Sequence, residues 1–520
     1  MSAAKLVLFL TAITCSVIAM PERKVSGQNF AQVERAMHPN VQKAGALNVN
    51  PDEFGTSYWK NQAQETILNK KDMTFNKNVA KNVIMFLGDG MSVATIKSAR
   101  VLAGQLNGED GEGNRLAMEY FPYTGFSKTY CADAQVPDSA CTATAYLRGI
   151  KANYATIGVN GQVARGDCAA SLLEENRVDS IATWSQAAGK RTGIVTTTTV
   201  THASPAGNYA YTSERHWESD DVTFGNDCDD IAYQLIYGKT GQSFNVALGG
   251  GRSNFLPTGY TDEEGVVGNR LDERNLVEEW LASKSSANAA YVWNRTSLLE
   301  LDEEVDYLFG LFEDEHMKYY LDDVNHEEPT LEEMTEAAIK VLSKSENGYF
   351  LFVEGGRIDQ AHHSNLPRKA LMEAVEFSKA IQKAKDLTNE EETLIVVTSD
   401  HAHSLTMSGS ADRGFDILGI GIAAEDEINY PILNYINGPG YRAEEDGHRY
   451  NFSQNDLSDK DLQYPSLVPL SSATHSGEDV GIFASGPWSH LFVGFNEQNV
   501  IPHIMAFASC VGEGYTACDE

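Results

Sequence analysis

The sequence predicts an α/β fold: a central, mostly parallel sheet with helices on both faces, with a small irregular insertion near residues 407–472. Three observations lead there. Short apolar runs recur as unbroken stretches, which is how strands buried on both faces read. Stretches with helical periodicity separate one run from the next, the rhythm of a parallel sheet with crossover helices. Residues 407–472 then break that rhythm, being rich in Gly, Asp, Asn and Pro.

Taken in order, residues 53–72 read as an exposed helix with Tyr58, Trp59 and Ile67 on one side. Residues 83–87 (Val-Ile-Met-Phe-Leu) are the first buried strand, bounded by Gly88-Asp89-Gly90, and residues 91–106 are the helix that follows. A helix over 180–189 leads to a strand at 193–197, and a strand at 244–248 precedes three glycines, 249–251. A helix over 331–343 is followed by a strand at 349–353, and a helix over 370–384 by a strand at 393–398. No internal repeat is present.

A chain of 520 residues can bury a large core. Its formal net charge of −33 argues against nucleic-acid binding and against docking on anionic membranes, both of which need a basic footprint. The same field repels anionic substrates, so a phosphate site would need local positive charge from metals and arginine. Residues 1–19 have the form of a secretory signal: Lys5, an apolar stretch from Leu6 to Ala19, and small residues at Val17 and Ala19 before the cut. Residues 20–51 then form a leader or propeptide, and 52–520 carry the chemistry. The expected localisation is secreted and extracellular. The C-terminus has no hydrophobic tail, so no lipid anchor is expected to be encoded. Secretion permits disulfides; with Cys15 lost in the signal, six cysteines remain, and six allow 15 pairings. Cys510 and Cys518 close a short loop and are natural partners. Asn294-Arg-Thr296 and Asn451-Phe-Ser453 are glycosylation sequons, hence surface positions.

The chemistry gathers where strands end. Val136-Pro137-Asp138-Ser139-Ala140-Cys141 puts one hydroxyl, beside an acid, at a loop entering a helix. Alone, that is ordinary N-cap chemistry. The strand at 83–87 leads to Asp89; the strand at 349–353 leads to Glu354, with Asp359 and His363 a turn further; the strand at 393–398 leads to Asp400 and His401; His202 and Ser204 follow the strand at 193–197. One such acid is usually a turn residue, but four strands ending this way would converge on the carboxyl edge of one sheet. Asp and neutral His suit Zn²⁺, while Ser, Glu and Asp oxygens suit Mg²⁺. His475, in Thr474-His475-Ser-Gly-Glu478, adds a further candidate ligand, although by itself this stretch reads as a capping box at a helix start.

VPDSACTAT at 136–144 resembles the nucleophile signature of the alkaline phosphatases. NVIMFLGDGM, THASPAG, VEGGRIDQAHH, SDHAH and THSGEDV are similar to further family motifs, in family order, and YVWNRT, LFGLFE and YTACD resemble the animal members. The likeness covers roughly residues 52–518 and implies a phosphomonoesterase working at alkaline pH. By resemblance, Ser139 would be the nucleophile that becomes phosphoserine, and Arg215 would grip two phosphate oxygens. Asp359, His363 and His475 would hold one zinc and Asp89, Asp400 and His401 a second. Asp89, Ser204 and Glu354 would hold a magnesium, with His202 and Gln360 beside the ligands. Two divalent ions about 4 Å apart can clamp the attacking and leaving oxygens of a phosphoryl transfer.

The resemblance further implies a calcium at Glu264, the Phe312 carbonyl, Glu313 and Glu328, and a homodimer. Phosphate monoesters, small or on proteins, would be the substrates. Glu328 stands where the family pattern has Asp. Gln360 stands where vertebrate members have His, and Ser410 where they have a Tyr that reaches into the partner subunit. Cys168–Cys228 and Cys510–Cys518 match family bridges. That leaves Cys131 and Cys141, which either form a third bridge or stay as buried thiols. Two other readings are disfavoured. A sulfatase of the same superfamily needs Cys or Ser in a C/S-x-P-x-R setting, and no cysteine here has one. A secreted binding protein without activity would be expected to have lost a ligand, and every mapped position retains a competent residue.

Overall fold

The computed structural model describes residues 50–519 except 224–226, 263, 423, 445–447, 453–456 and 458. The signal segment and nearly all of the leader fall outside the described residues. Eight strands are labelled here: β1 (Asn82–Gly88), β2 (Tyr123–Lys128), β3 (Arg191–Thr199), β4 (Val246–Gly250), β5 (Ala289–Val292), β6 (Tyr307–Leu311), β7 (Tyr349–Gly355) and β8 (Thr393–Thr398). With Val480–Ser485 and Gly494–Glu497 they form a ten-stranded sheet. Its order is Gly494–Glu497, β2, Val480–Ser485, β8, β1, β7, β3, β4, β6, β5. From β8 to β5 every pairing is parallel; Val480–Ser485 runs antiparallel to both β8 and β2. The expected α/β class is therefore the observed one.

Central strands are buried on both faces, which is why they read as unbroken apolar runs. Alternate residues still go opposite ways. Ile84, Phe86, Leu351, Val353, Ile395 and Val397 join the core under the helices Val93–Leu106, Leu331–Leu342 and Pro367–Leu387. Val83, Met85, Phe350, Phe352, Leu394 and Val396 join the core on the other face, under Ser139–Arg148, Ile181–Ala187 and Val500–Ser509. Local signals set the helix ends. Ser92 caps the first helix by accepting from Thr95 N–H, which moves its start two residues past the expected one. Thr330 and Glu333 make a capping box, and Pro367 opens its helix at the first position.

Two further expectations shift. The strand expected at 244–248 is β4, two residues later, because Gly241–Ser243 forms a 3₁₀ turn and the glycines enter the strand. A Cβ at Gly250 would lie 2.2 Å from the Glu315 carbonyl oxygen, so only glycine lets β4 pass there. The capping-box reading of residues 474–478 is wrong. His475–Ser476 is a short strand paired antiparallel with Ala402–His403, and that pairing, not a helix, takes up the local backbone. The edge strands were not foreseen. The exposed helix near residue 60 is Thr56–Lys70 and buries no residue. The insertion has no α-helix among its described residues; Leu405–Met407, Leu433–Gly438 and Ser466–Pro469 make a small sheet there. No helix among the described residues is long and apolar enough to cross a membrane.

Candidate active site

The carboxyl ends of β1, β7 and β8, the loop after β3 and the start of helix Ser139–Arg148 meet at one place. Asp89 follows β1 and is fully buried. The turn that places it needs Gly90, whose φ is +64° and whose added Cβ would lie 2.8 Å from Asp359 Oδ1. Gly90 N–H and His401 N–H both donate to Asp400 Oδ1, at 3.0 and 2.8 Å. They fix that carboxylate, and its other oxygen lies 3.1 Å from His401 Nε2. His401 Nε2 also stands 3.5 Å from Asp89 Oδ1 and 3.3 Å from Ser139 Oγ. Asp359 and His363 share a helix face at i and i+4, with Oδ2 and Nε2 3.2 Å apart. His475 arrives from its own short strand, its Nε2 3.5 Å from Asp359 Oδ1 and 3.1 Å from His363 Nε2.

Ligating atoms gather within 4.8 Å of one another as Asp359, His363, His403 and His475; as Asp89, Asp400 and His401; and as Asp89, His202 and Glu354, while in a fourth group, Cys131, Asp138 and Cys141, the thiols are taken up by a disulfide. Two tests of fit favour cations. Both oxygens of Asp89 and Oε1 of Glu354 are buried without a hydrogen-bond partner, a costly state unless something else satisfies them. Burial and then Asp400, Asp359 and Glu354 push Asp89 well above the usual carboxylate range. Burial likewise lifts Glu354 to about 7, against hydrogen bonds from Thr196 and Thr198. The imidazoles are set up to give lone pairs. Burial and the neighbouring His401 pull His475 down to about 3, and burial pulls His401 to about 4, so both are neutral near pH 7. His475 Nδ1 donates to the Pro137 carbonyl at 2.8 Å, which leaves its Nε2 as an acceptor. His363 Nδ1 donates to the Ala473 carbonyl at 2.5 Å; burial opposes its charge, but Asp359 outweighs burial and raises this imidazole above its ordinary range.

Ser139 is the first residue of its helix, and Asp138 caps it by accepting from Cys141 N–H. The cap and the site are thus the same feature. Asp138 Oδ2 also accepts from Arg215 Nη1 at 2.9 Å. Burial opposes ionisation of Asp138, but Arg215 outweighs it and holds the carboxyl below the ordinary range. Arg215 Nη2 donates to His202 Nε2 at 3.1 Å. Ser139, His202 and Arg215 line an open cavity of about 740 Å³, with Tyr154, Arg165, Gln360 and Ser472 around it. Arg357 Nη1 donates to Gln360 Oε1. A cavity of about 880 Å³ elsewhere is lined by lysine–glutamate pairs such as Lys340–Glu336 and Lys379–Glu376, and has no such convergence of ligands.

Four contributors went unassigned in the sequence. His403 Nε2 lies 3.1 Å from Asp359 Oδ1; its place in the His-rich run was the only signal. Asp138 was read only as a cap. Thr196 and Thr198 donate to Glu354 Oε2 at 2.5 and 3.2 Å, a contact across strands that the order of the chain does not show. His362, by contrast, is turned away, bonded to Thr95 Oγ1 and Tyr435 OH.

At the implied calcium position, Lys318 Nζ sits 3.2 Å from Glu313 and 3.1 Å from Glu328, and Glu264 pairs with Arg252; Phe312 is buried. Glu313 falls to about 2: burial opposes this, but hydrogen bonds from Glu328 and Asp314 outweigh it. Burial and Glu313 raise Glu328 to about 8. All three bridges form: Cys131–Cys141, Cys168–Cys228 and Cys510–Cys518, with Cα separations of 5.7, 5.9 and 5.9 Å. Asn294 Oδ1 accepts from Ser297 N–H at the start of a short helix, and Asn451 is exposed, although Ser453 of its sequon lies outside the described residues.

A buried acid–imidazole cluster at the carboxyl edge of a parallel sheet, with a hydroxyl and an arginine facing it, defines a hydrolase suited to divalent metals and anionic substrates. Comparison with known proteins makes this specific. The family described as alkaline phosphatase matches residues 80–511. The membrane-bound alkaline phosphatase of Bombyx mori is 47% identical over 507 residues, covering 94% of this chain and 92% of that one. The human tissue-nonspecific isozyme is 46% identical over 480 residues, covering 90% and 91%. In fold, the chain is similar to the alkaline phosphatase of Thermus thermophilus, with TM-score 0.62 and 21% identity over 86% of this chain and 94% of that one. It is also similar to that of the Antarctic bacterium TAB5, with TM-score 0.58 and 22% identity over 84% and 100%. The chain belongs to the alkaline phosphatase family and is a phosphate-monoester hydrolase.

Proposed function

We propose that the protein is a secreted phosphomonoesterase that works at alkaline pH through a phosphoserine at Ser139. The observation that carries this reading is Ser139 Oγ at the N-terminus of its helix, 3.3 Å from His401 Nε2, which itself stands 3.5 Å from the buried Asp89 Oδ1. Asp359, His363 and His475 would hold one zinc, Asp89, Asp400 and His401 a second, and Asp89, Ser204 and Glu354 a magnesium. When bound, these ions supply Lewis-acid charge to the attacking and leaving oxygens. The residues do the rest. Arg215, held by Asp138 and His202, presents a fork to two phosphoryl oxygens. Neutral His401 and His475 keep their lone pairs at working pH. Ser139 Oγ, at the positive end of a helix, gives up its proton to solvent and forms the O–P bond as the bond from phosphorus to the ester oxygen breaks, the leaving oxygen taking a proton from water. A second water then attacks phosphorus, the Ser139 O–P bond breaks, and Oγ regains a proton as inorganic phosphate leaves.

The open cavity accords with a range of phosphate monoesters, small or on proteins. The acidic surface is then no obstacle, because positive charge is concentrated at the cluster. Calcium at Glu313 and Glu328, glycosylation at Asn294 and Asn451, and a homodimer belong to the same reading. The deciding experiment is quenching turnover of an aryl phosphate in acid and mapping the phosphorylated peptide. Phosphate on Ser139 supports the assignment; phosphate on another residue, or none, overturns it. Light scattering and elemental analysis of the same sample test the dimer and the metal content.

A further inference from the structure

Cys131 and Cys141 are buried and, with Ala152, form a small apolar cluster apart from the two main cores. Their bridge closes a stretch of irregular backbone that ends in the first turn of the Ser139 helix. At its start, Cys131 N–H donates to the Ala134 carbonyl, Ala132 N–H to the Ala152 carbonyl, and Tyr154 N–H to Asp133 Oδ1. At its end, Asp138 is fixed by Cys141 N–H, Ala155 N–H and Arg215. Between these anchors, Gln135, Val136 and Pro137 run along the cavity edge against Gly477, where a Cβ would lie 3.3 Å from Val136 Cγ2. The Pro137 carbonyl is the acceptor that orients His475: it takes Nδ1–H at 2.8 Å and leaves Nε2 directed at Asp359 and His363.

We propose that the Cys131–Cys141 disulfide is a positioning element for His475, and so for retention of the metal at Asp359, His363 and His475; this rests on the reading of His475 as a ligand. The acceptor that sets the imidazole lies in backbone without regular structure, held at one end by Asp138 and at the other by the bridge. Opening the bridge leaves the stretch from 131 to 137 to the hydrogen bonds at Cys131, Ala132, Asp133 and Asp138 alone, so the carbonyl is less firmly placed and the ring is held less well in its tautomer and orientation. Partners of metal-ligating histidines typically influence affinity by about 10–100-fold.

The test uses the full, zinc-loaded protein. Zinc release to a chromogenic chelator is timed for the parent, for Cys131→Ala/Cys141→Ala, and for Cys168→Ala/Cys228→Ala as a control. The bridge variant is expected to release zinc about 10–100-fold faster, with the control at the parent rate. Hydrogen exchange in metal-free samples is expected to rise at 132–138 and 472–476 in the bridge variant alone. If the bridge variant does not fold, native reduction and alkylation of the parent, with the modified cysteines mapped by mass, supplies the same measurement. A parent that holds no zinc overturns the ligand assignment itself. A parent that holds zinc, with a bridge variant releasing it at the parent rate or no faster than the control, overturns this inference and leaves the ligand assignment standing.

Discussion

Thr196 and Glu354 face each other across β3 and β7, paired in parallel register, and the threonine hydroxyl donates to Glu354 Oε2 at 2.5 Å. Thr198 donates to the same oxygen, so one side of the carboxylate is occupied and Oε1 alone is left for a cation.

Thr196→Val keeps the β-branched shape and removes the donor. Magnesium affinity, read by titration calorimetry, is expected to fall about 10-fold or more, and Thr196→Ser to restore most of it. Unchanged affinity in the valine variant would assign Thr196 to packing alone.

Ser139→Ala should lower turnover by several orders of magnitude without altering the unfolding midpoint, since Asp138, not Ser139, caps the helix. A turnover close to that of the parent would remove Ser139 from the mechanism.

Arg215→Ala should weaken inhibition by inorganic phosphate by about 1.5–3 kcal/mol, the range for hydrogen bonds to charged groups. Asp138→Asn should move phosphate binding in the same direction by less, because Arg215 keeps its bond to His202. Equal phosphate inhibition in parent and Arg215→Ala would make the arginine a structural residue only.

Metal-stripped protein should lose stability as pH rises from about 6.5 to 8. Burial raises Glu354 and Glu373 to about 7 from 4.5, so the folded state holds protons that the unfolded chain has released. That contribution is full below 4.5 and is lost as pH climbs through 7. His401 and His475, depressed from 6.5, act in the opposite sense but only below 6.5. Reloading metals should flatten the parts due to Glu354 and Asp89, and Glu373→Gln should remove its own part, leaving that of Glu328. Urea midpoints across this range that stay level in stripped protein would contradict the burial argument.

Extended chelation should abolish hydrolysis, with zinc plus magnesium restoring it. Full activity in a sample shown by elemental analysis to lack zinc would sink the metal reading.

Fold class and most residues of the candidate site were legible in the sequence. Strands buried on both faces must be apolar without alternation, and the acids and histidines that end β1, β7 and β8 follow those runs directly in the chain. Ser139, Asp89, Glu354, Asp359, His363, Asp400 and His401 are legible because local chemistry and position coincide in them. Tertiary structure decided what depends on partners far apart in sequence. Thr196 meets Glu354 only through the register of β3 on β7. His475 looked like helix-start chemistry until Ala402–His403 paired with it and the Pro137 carbonyl turned its ring toward Asp359. Cys131 and Cys141 could have stayed thiols, and it was the path of residues 131–141 that brought their Cα atoms to 5.7 Å. Periodicity and turn chemistry act over a few residues, whereas a hydrogen bond or a bridge between distant residues exists only once the sheet has brought them together.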